Sequence, residues 1–252
     1  MSGTDHSQGF EAPPVGLSFV LVRPQMGENI GAAARAMWNF GLDRMRIVDP
    51  RDGWPNPAAV AMASGAGRLL EDALIYPGTA EAVADAQVIY ATTARPREMT
   101  KRVLTPEQAM AEARGHVAAG ARVAVLFGPE RAGLANEDVI LADTIISVPV
   151  NPAFGSLNLA QCALLLAYEW RRQGGEVPPE VPDRAAARDV TRLLGHLEGE
   201  LDGAGFFFPE HKRDSMVANL ENLFRRMPLT DQDVRTLWGV VRALAEGPKR
   251  RR

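Results

Sequence analysis

The chain has 252 residues, 46% of them hydrophobic and 23% charged, with a formal net charge of -3. That length holds one medium α/β domain and a smaller unit, and the balance is that of a globular protein. It excludes a membrane-spanning helix, because the longest apolar run, Leu157 to Tyr168, is short and broken by Asn158 and Gln161. The single cysteine, Cys162, excludes an internal disulfide, and four scattered histidines form no ligand-spaced cluster, so no metal site is expected. The expected location is cytoplasmic. Net charge does not favour a nucleic-acid partner, yet lysine occurs only at Lys101, Lys212 and Lys249. Nearly all 28 basic residues are therefore arginine, whose planar fork suits phosphate oxygens. A GC-rich coding bias gives the same composition, so that question stays open.

Residues 1–15 are polar, lack the apolar core of a signal peptide, and read as a disordered leader. Leu17 to Val22 is a β-rich run ended by Arg23-Pro24. A helix follows from Asn29, whose side chain suits an N-cap, with Ile30, Ala33, Met37, Trp38 and Gly41 on its packing face. Met45 to Val48, Gln87 to Thr93, Val123 to Phe127 and Ile145 to Val150 read as four further strands, and Pro106 to Ala118 as a helix between them. Another helix begins near Leu157, with Cys162 as a buried structural thiol in its apolar run. Strands alternating with helices imply a mostly parallel sheet covered on both faces. This domain spans 16–173. Residues 174–182, rich in glycine and proline, are a linker. Beyond it, 183–247 read as purely helical, with one apolar face carrying Met216, Val217, Leu220, Leu223 and Phe224 and another carrying Val234, Leu237, Trp238, Val241 and Leu244. Residues 248–252 form a basic tail.

Ligands of open α/β sheets sit at the carboxyl ends of the strands. The turn after the first strand, Arg23-Pro-Gln-Met-Gly-Glu-Asn-Ile-Gly31, lacks the G-x-G-x-x-G fingerprint, and no P-loop is present, which counts against a nucleotide-cofactor oxidoreductase. The informative loops come after the third, fourth and fifth expected strands: Ala91 to Arg97, Phe127 to Leu134, and Val148 to Ala160. Glycine stands in two of them, where backbone turns sharply or approaches a ligand.

Asn29-Ile-Gly-Ala-Ala-Ala-Arg35, Phe127-Gly-Pro-Glu-Arg-Ala-Gly-Leu134 and Ser156-Leu-Asn158 resemble, in order and separation, the three motifs of the TrmH-like branch of SPOUT RNA 2′-O-methyltransferases. The likeness runs from about Leu17 to Arg172. The C-terminal unit is similar to the helical extension of TrmJ-type tRNA methyltransferases, chiefly in Phe206-Phe-Phe-Pro-Glu-His-Lys212 and Arg225-Arg226. The resemblance implies an α/β knot, with a deep C-terminal trefoil knot that no pattern argument reaches. It also implies S-adenosyl-L-methionine (SAM) as cofactor and a homodimer whose site is completed across the interface. The implied reaction is methylation of a ribose 2′-OH in tRNA, at cytidine or uridine of anticodon-loop position 32. An rRNA enzyme of the same class and a non-catalytic knotted RNA-binding protein are the alternatives; the short leader, in place of an N-terminal RNA-binding domain, tilts toward tRNA.

On this resemblance Thr92, Thr93, Ala94, Gly128, Val148, Ser156, Leu157 and Asn158 hold the cofactor. Arg35, Asn29, Glu130 and Ser156 are the catalytic candidates, and Arg35, Arg97, Lys212 and Arg213 grip RNA. Arginine stays protonated, so Arg35 suits charge stabilisation and phosphate positioning better than proton abstraction. Its neighbours one turn away, Gly31 and Asn39, make that face small and polar, with room for a ligand. Each residue also has a plainer reading. Arg35 and Arg97 serve equally as surface charges, Asn29, Ser156 and Asn158 as helix caps, and Glu130 as a cap for the helix after its loop.

Overall fold

The computed structural model describes residues 16–93, 101–174 and 184–246. Its sheet strands are β1 (Leu17–Val22), β2 (Met45–Val48), β3 (Leu74–Tyr76), β4 (Val88–Thr92), β5 (Arg102–Leu104), β6 (Val123–Phe127) and β7 (Thr144–Ile146). All pair in parallel, in the order β3-β2-β1-β6-β4-β7-β5. The helices of this region are α1 (Gly27–Asn39), α2 (Pro57–Ala63), α3 (Gly67–Glu71), α4 (Thr79–Ala82), α5 (Pro106–Ala118), α6 (Asn136–Leu141) and α7 (Leu159–Arg172).

Period-two alternation divides the strands between two cores. Leu17, Phe19 and Leu21 of β1, with Val123, Val125 and Phe127 of β6, face α1, α5 and α7. The Phe19 and Phe127 rings meet there at 4.8 Å between centroids. Val20, Val22, Ala124 and Leu126 face the other way, toward α4 and α6. Central strands buried on both faces read as the continuous apolar runs that the sequence shows. The two strands missed by pattern, β3 and β5, are three-residue edges with exposed Leu74, Ile75 and Val103. The expected third and fifth strands are shorter than read: β4 loses Gln87 and Thr93, and β7 begins at Thr144 and ends at Ile146. Helix α5 has the expected bounds, closed by a reciprocal cap between Thr105 and Gln108.

Three helices follow: α8 (Ala187–Gly203), α9 (Arg213–Arg225) and α10 (Asp231–Glu246). Val190, Leu193, Leu194 and Val234 form their small core, supported by half-buried Phe224 and Leu237. The apolar faces expected here are only partly covered: Leu223, Trp238 and Leu244 are exposed, Trp238 stacking on His196 at 4.4 Å. The unit docks on the sheet domain through Ala187 N–H, which donates to the Ala86 carbonyl at 2.7 Å, and through the Arg184–Asp143 ion pair. Among the described residues, no helix is long and apolar enough to cross a membrane.

Candidate active site

The carboxyl ends of β4, β6 and β7 open into one cavity of about 350 Å³. It is lined by Thr92 and Thr93 at the end of β4, by residues 127–133 at and beyond the end of β6, and by Ile146, Val148, Val150, Gly155, Ser156 and Leu157 at and beyond the end of β7. Leu159 and Cys162 of α7 close it. Thr92, Thr93, Gly128, Glu130, Val148, Ser156 and Leu157 thus share one space, whereas Ala94 and Arg97 lie outside the described residues.

The loop after β6 is held by close backbone packing. A Cβ on Gly128 would stand 2.2 Å from the Leu134 nitrogen and 2.4 Å from the Gly133 carbonyl carbon. Gly133, at φ +68°, donates its N–H to the Pro129 carbonyl at 2.8 Å and turns the loop back. Asp138 anchors the far side. It is almost fully buried, pairs with Arg23, and accepts from the Thr79 hydroxyl at 2.7 Å and the Ala135 N–H at 2.9 Å.

Glu130 does not cap a helix, contrary to one reading of the sequence. Its carboxylate accepts from Asn29 Nδ2 at 2.7 Å and from the Gln25 N–H at 2.9 Å. Nor does Asn29 cap α1: the helix starts at Gly27 with Met26 as the cap residue, and the Asn29 side chain is spent on tertiary contacts. Its Oδ1 accepts from Asn158 Nδ2 at 2.9 Å. Asn158 does cap α7, its Oδ1 accepting from the N–H groups of Ala160 and Gln161 at 2.9 and 3.3 Å. Ser156 lies two residues before that cap and faces the cavity instead. The chain Asn158–Asn29–Glu130–Gln25 therefore ties α7, α1, the loop after β6 and the loop after β1 together at the cavity mouth. Gln25 escaped sequence reading because it contributes only its backbone.

Thr92 Oγ1 donates to the Leu126 carbonyl at 2.9 Å, fixing the β4 end of the cavity. Cys162 is a cavity-wall residue rather than a plain core thiol. Burial, opposed by a contact from Thr92, pushes its thiol up to about 11, so it stays protonated at neutral pH.

Arg35 stands apart. It is exposed, has no side-chain hydrogen bond or ion pair among the described residues, and does not line the cavity. The space expected beside it at Gly31 is filled by α2: a Cβ there would meet the Ala59 carbonyl oxygen at 2.1 Å. Lys212 is exposed. Arg213 is already engaged, pairing with Glu198 at 3.0 Å and Asp202 at 3.3 Å and lying over the Phe207 ring.

The cavity suits a small cofactor with a flat apolar part. Its walls are largely aliphatic and main chain, the Ser156 hydroxyl has no protein partner among the described residues, and one carboxylate, that of Glu130, stands at the edge. These features fit SAM: an apolar slot for a purine, backbone for its polar edge, and a negative charge to complement a sulfonium.

Residues 16–168 match the SpoU rRNA Methylase family. The chain belongs to that family of methylases, and its fold is the SPOUT α/β knot carrying a helical C-terminal extension. Residues 188–252 match the C-terminal domain of the tRNA methyltransferase TrmJ. The chain is 34% identical to the tRNA (cytidine/uridine/adenosine-2′-O-)-methyltransferase TrmJ of Pseudomonas aeruginosa (strain UCBPP-PA14), covering 88% of this chain and 91% of that protein. It is 31% identical to the tRNA (cytidine/uridine-2′-O-)-methyltransferase TrmJ of Escherichia coli O6:K15:H31, covering 92% and 96%. Among solved structures, TrmJ from Z. mobilis ZM4 superposes with a TM-score of 0.82 at 49% identity, covering 92% of this chain and 99% of that one.

Proposed function

We propose that this protein is a SAM-dependent methyltransferase that modifies a ribose 2′-OH in tRNA, at cytidine or uridine of anticodon-loop position 32, and that it works as a homodimer. The observation that carries the reading is the convergence of three strand-end loops on one cavity, locked by the Asn158–Asn29–Glu130 chain. The match of 188–252 to a TrmJ C-terminal domain supports tRNA over rRNA.

SAM held in the cavity supplies an electrophilic methyl group for in-line displacement by the ribose oxygen. Thr92, Thr93, Gly128, Val148, Ser156 and Leu157 bind and orient, chiefly by shape and main chain. Glu130 presents its carboxylate to the cationic centre, and Asn29 holds Glu130 in place. A 2′-OH is a poor nucleophile until its developing negative charge is stabilised. Arg35 serves that step and positions the adjoining phosphate, while the proton leaves through phosphate or water. Because Arg35 is outside its own cavity, it acts on the partner's. The exposed apolar row Leu164, Leu165 and Tyr168 on α7, with Phe40 packed edge-on against Tyr168, is the surface that such a dimer buries. On the RNA side Arg35 is joined by Arg97 and Lys212. Arg213 first holds α8 to the start of α9, and its part in RNA contact is secondary.

Transfer of labelled methyl from SAM to tRNA and, separately, rRNA, with the modified ribose mapped, tests the reading. Label at one anticodon-loop ribose is expected. Label in rRNA alone overturns the substrate, and no label in either overturns the activity.

A further inference from the structure

A second, larger cleft lies at the opposite end of the sheet from the cofactor cavity. It measures about 650 Å³ and separates α5 and the amino ends of β5 and β7 from the C-terminal unit. Three guanidinium groups reach it from places far apart in sequence: Arg102 at the start of β5, Arg184 just before α8, and Arg226 just after α9. Two carboxylates face them. Glu112 pairs with Arg102 at 2.6 Å, and Asp143, partly buried, has its carboxyl raised by desolvation despite Arg184 at 3.5 Å. Positive charge is therefore in excess.

Two features of the cleft are unexplained by folding. Arg226 is exposed, and its side chain makes no ion pair or hydrogen bond among the described residues. His116 is 4% exposed, faces Glu112 with Nε2 at 3.8 Å, and leaves Nδ1 buried with no hydrogen-bond partner. Buried polar atoms without partners are rare and mark a missing ligand, water or ion. Converging arginines with spare donors are suited to phosphate oxygens, which they grip in pairs.

We infer that this cleft binds the phosphodiester backbone of the RNA substrate, bridging the methyltransferase domain and the C-terminal helices. The inference rests on the RNA-methylating reading and deepens it. A free nucleotide is the poorer occupant: no Phe, Tyr or Trp side chain lines the cleft among the described residues, so a base finds no ring to stack on. Backbone contacts position RNA without reading its sequence, which is the role a cleft remote from the methyl-transfer site can play. A tRNA engaged at the cofactor cavity would then be held a strand's length away as well, and the C-terminal unit would contribute through its junction rather than its far surface.

The test is equilibrium binding of full-length protein to unmodified tRNA between about 50 and 200 mM salt, with SAM affinity measured in parallel. Arg226→Glu is expected to weaken tRNA binding about tenfold and to flatten the salt dependence by about one phosphate contact, with SAM affinity and melting temperature unchanged. Arg226→Lys should retain most of the affinity, and Arg102→Gln should add its own loss. Wild-type tRNA affinity and salt slope in Arg226→Glu would overturn the cleft assignment while leaving the enzyme reading intact. Loss of affinity for a nucleoside triphosphate with tRNA binding unaltered would replace RNA as the occupant. If the wild-type protein itself neither binds nor methylates RNA, the functional reading fails and takes the cleft with it.

Discussion

Gly128→Ala is the smallest change that tests how the loop after β6 shapes the cofactor cavity. The backbone at Gly128 has no positive φ, so alanine meets no conformational penalty there. The obstacle is contact: the new methyl carbon would sit 2.2 Å from the Leu134 nitrogen and 2.4 Å from the Gly133 carbonyl carbon. Both are main-chain atoms, so no side chain can swing away. Relief requires the segment 128–134 to move by about 1 Å, because ordinary carbon contacts are about 3.5 Å. Overpacking of this kind costs about 1–3 kcal/mol, or about 2–12 °C in melting temperature for a chain of this size. The same segment lines the cavity, and Glu130 within it is held by Asn29 and Gln25. A shift of its walls should weaken SAM binding at least about tenfold, since a lost or lengthened hydrogen bond to a charged group alone accounts for that factor. Isothermal titration with SAM, beside a thermal melt and tRNA binding, reads all three effects. Undiminished SAM affinity together with an unchanged melt would refute the argument, because the close approach would then be absent or irrelevant to the site.

Glu130→Ala orphans Asn29 Nδ2 and the Gln25 N–H; it should cost about 1–3 kcal/mol and weaken SAM binding. A double-mutant cycle with Asn29→Ala should show coupling of about 0.5–3 kcal/mol, and strict additivity would break the proposed chain. Arg35→Ala removes an exposed, unpaired side chain, so stability should change by less than about 0.5 kcal/mol and SAM affinity not at all, while kcat falls about 100-fold or more; wild-type turnover would strip Arg35 of its role. Burial opposes ionisation of Glu112, but nearby His116, the hydrogen bond from Tyr90 and the Arg102 ion pair more than offset it and hold the carboxyl at about 2, below the usual 4.5. The folded state therefore binds fewer protons than the unfolded chain in that window. The stability Glu112 contributes is fully present above about 4.5 and is lost as pH falls toward about 2. Glu112→Gln should flatten this part of the acid-stability curve, and an identical slope in the variant would contradict the coupling.

The parts of the fold legible in sequence are those whose residues are fixed by burial alone. The strands β1, β2 and β6 stand out as uninterrupted apolar runs because both of their faces are covered. Edge strands β3 and β5 carry no such mark, since half of each faces solvent and three residues cannot establish a period. Asn29 misled for a related reason. Its amide can serve a helix end or a distant carboxylate, and only the position of Glu130, a hundred residues on, decides between them. Gly31 looked like open space beside Arg35, yet a missing side chain equally permits another backbone to approach, and α2 does so. The loops around the cavity were legible through their glycines, and Gln25 was not, because a backbone donor leaves no residue-type signature. The arginine cleft was invisible in sequence: Arg102, Arg184 and Arg226 meet only through the docking of the C-terminal helices.

The position of Arg35 on α1 turns the proposed dimer from an assembly question into a mechanistic one. It follows Asn29 by six residues, which places it about 9 Å farther along the helix axis and about 120° around it. Asn29 faces the cavity mouth through Glu130, so Arg35 faces elsewhere, and it lines no part of its own cavity. On the proposed homodimer, SAM binding is a property of one protomer, whereas turnover needs two. Two impaired variants, assayed at SAM too low to fill a damaged cavity, make the distinction measurable. Arg35→Ala keeps a sound cavity but lacks the arginine, and Gly128→Ala keeps the arginine but has a damaged cavity. In a mixed dimer the sound cavity of the first receives Arg35 from the second, so combining the two after subunit exchange should raise methyl transfer at low SAM above that of either variant alone. If Arg35 acted within its own protomer, no pairing of the two chains would contain a complete site and the mixture would stay as slow as its components. Recovery that rises with the fraction of mixed dimers would place Arg35 in the partner's site, and its absence under proven exchange would return Arg35 to its own.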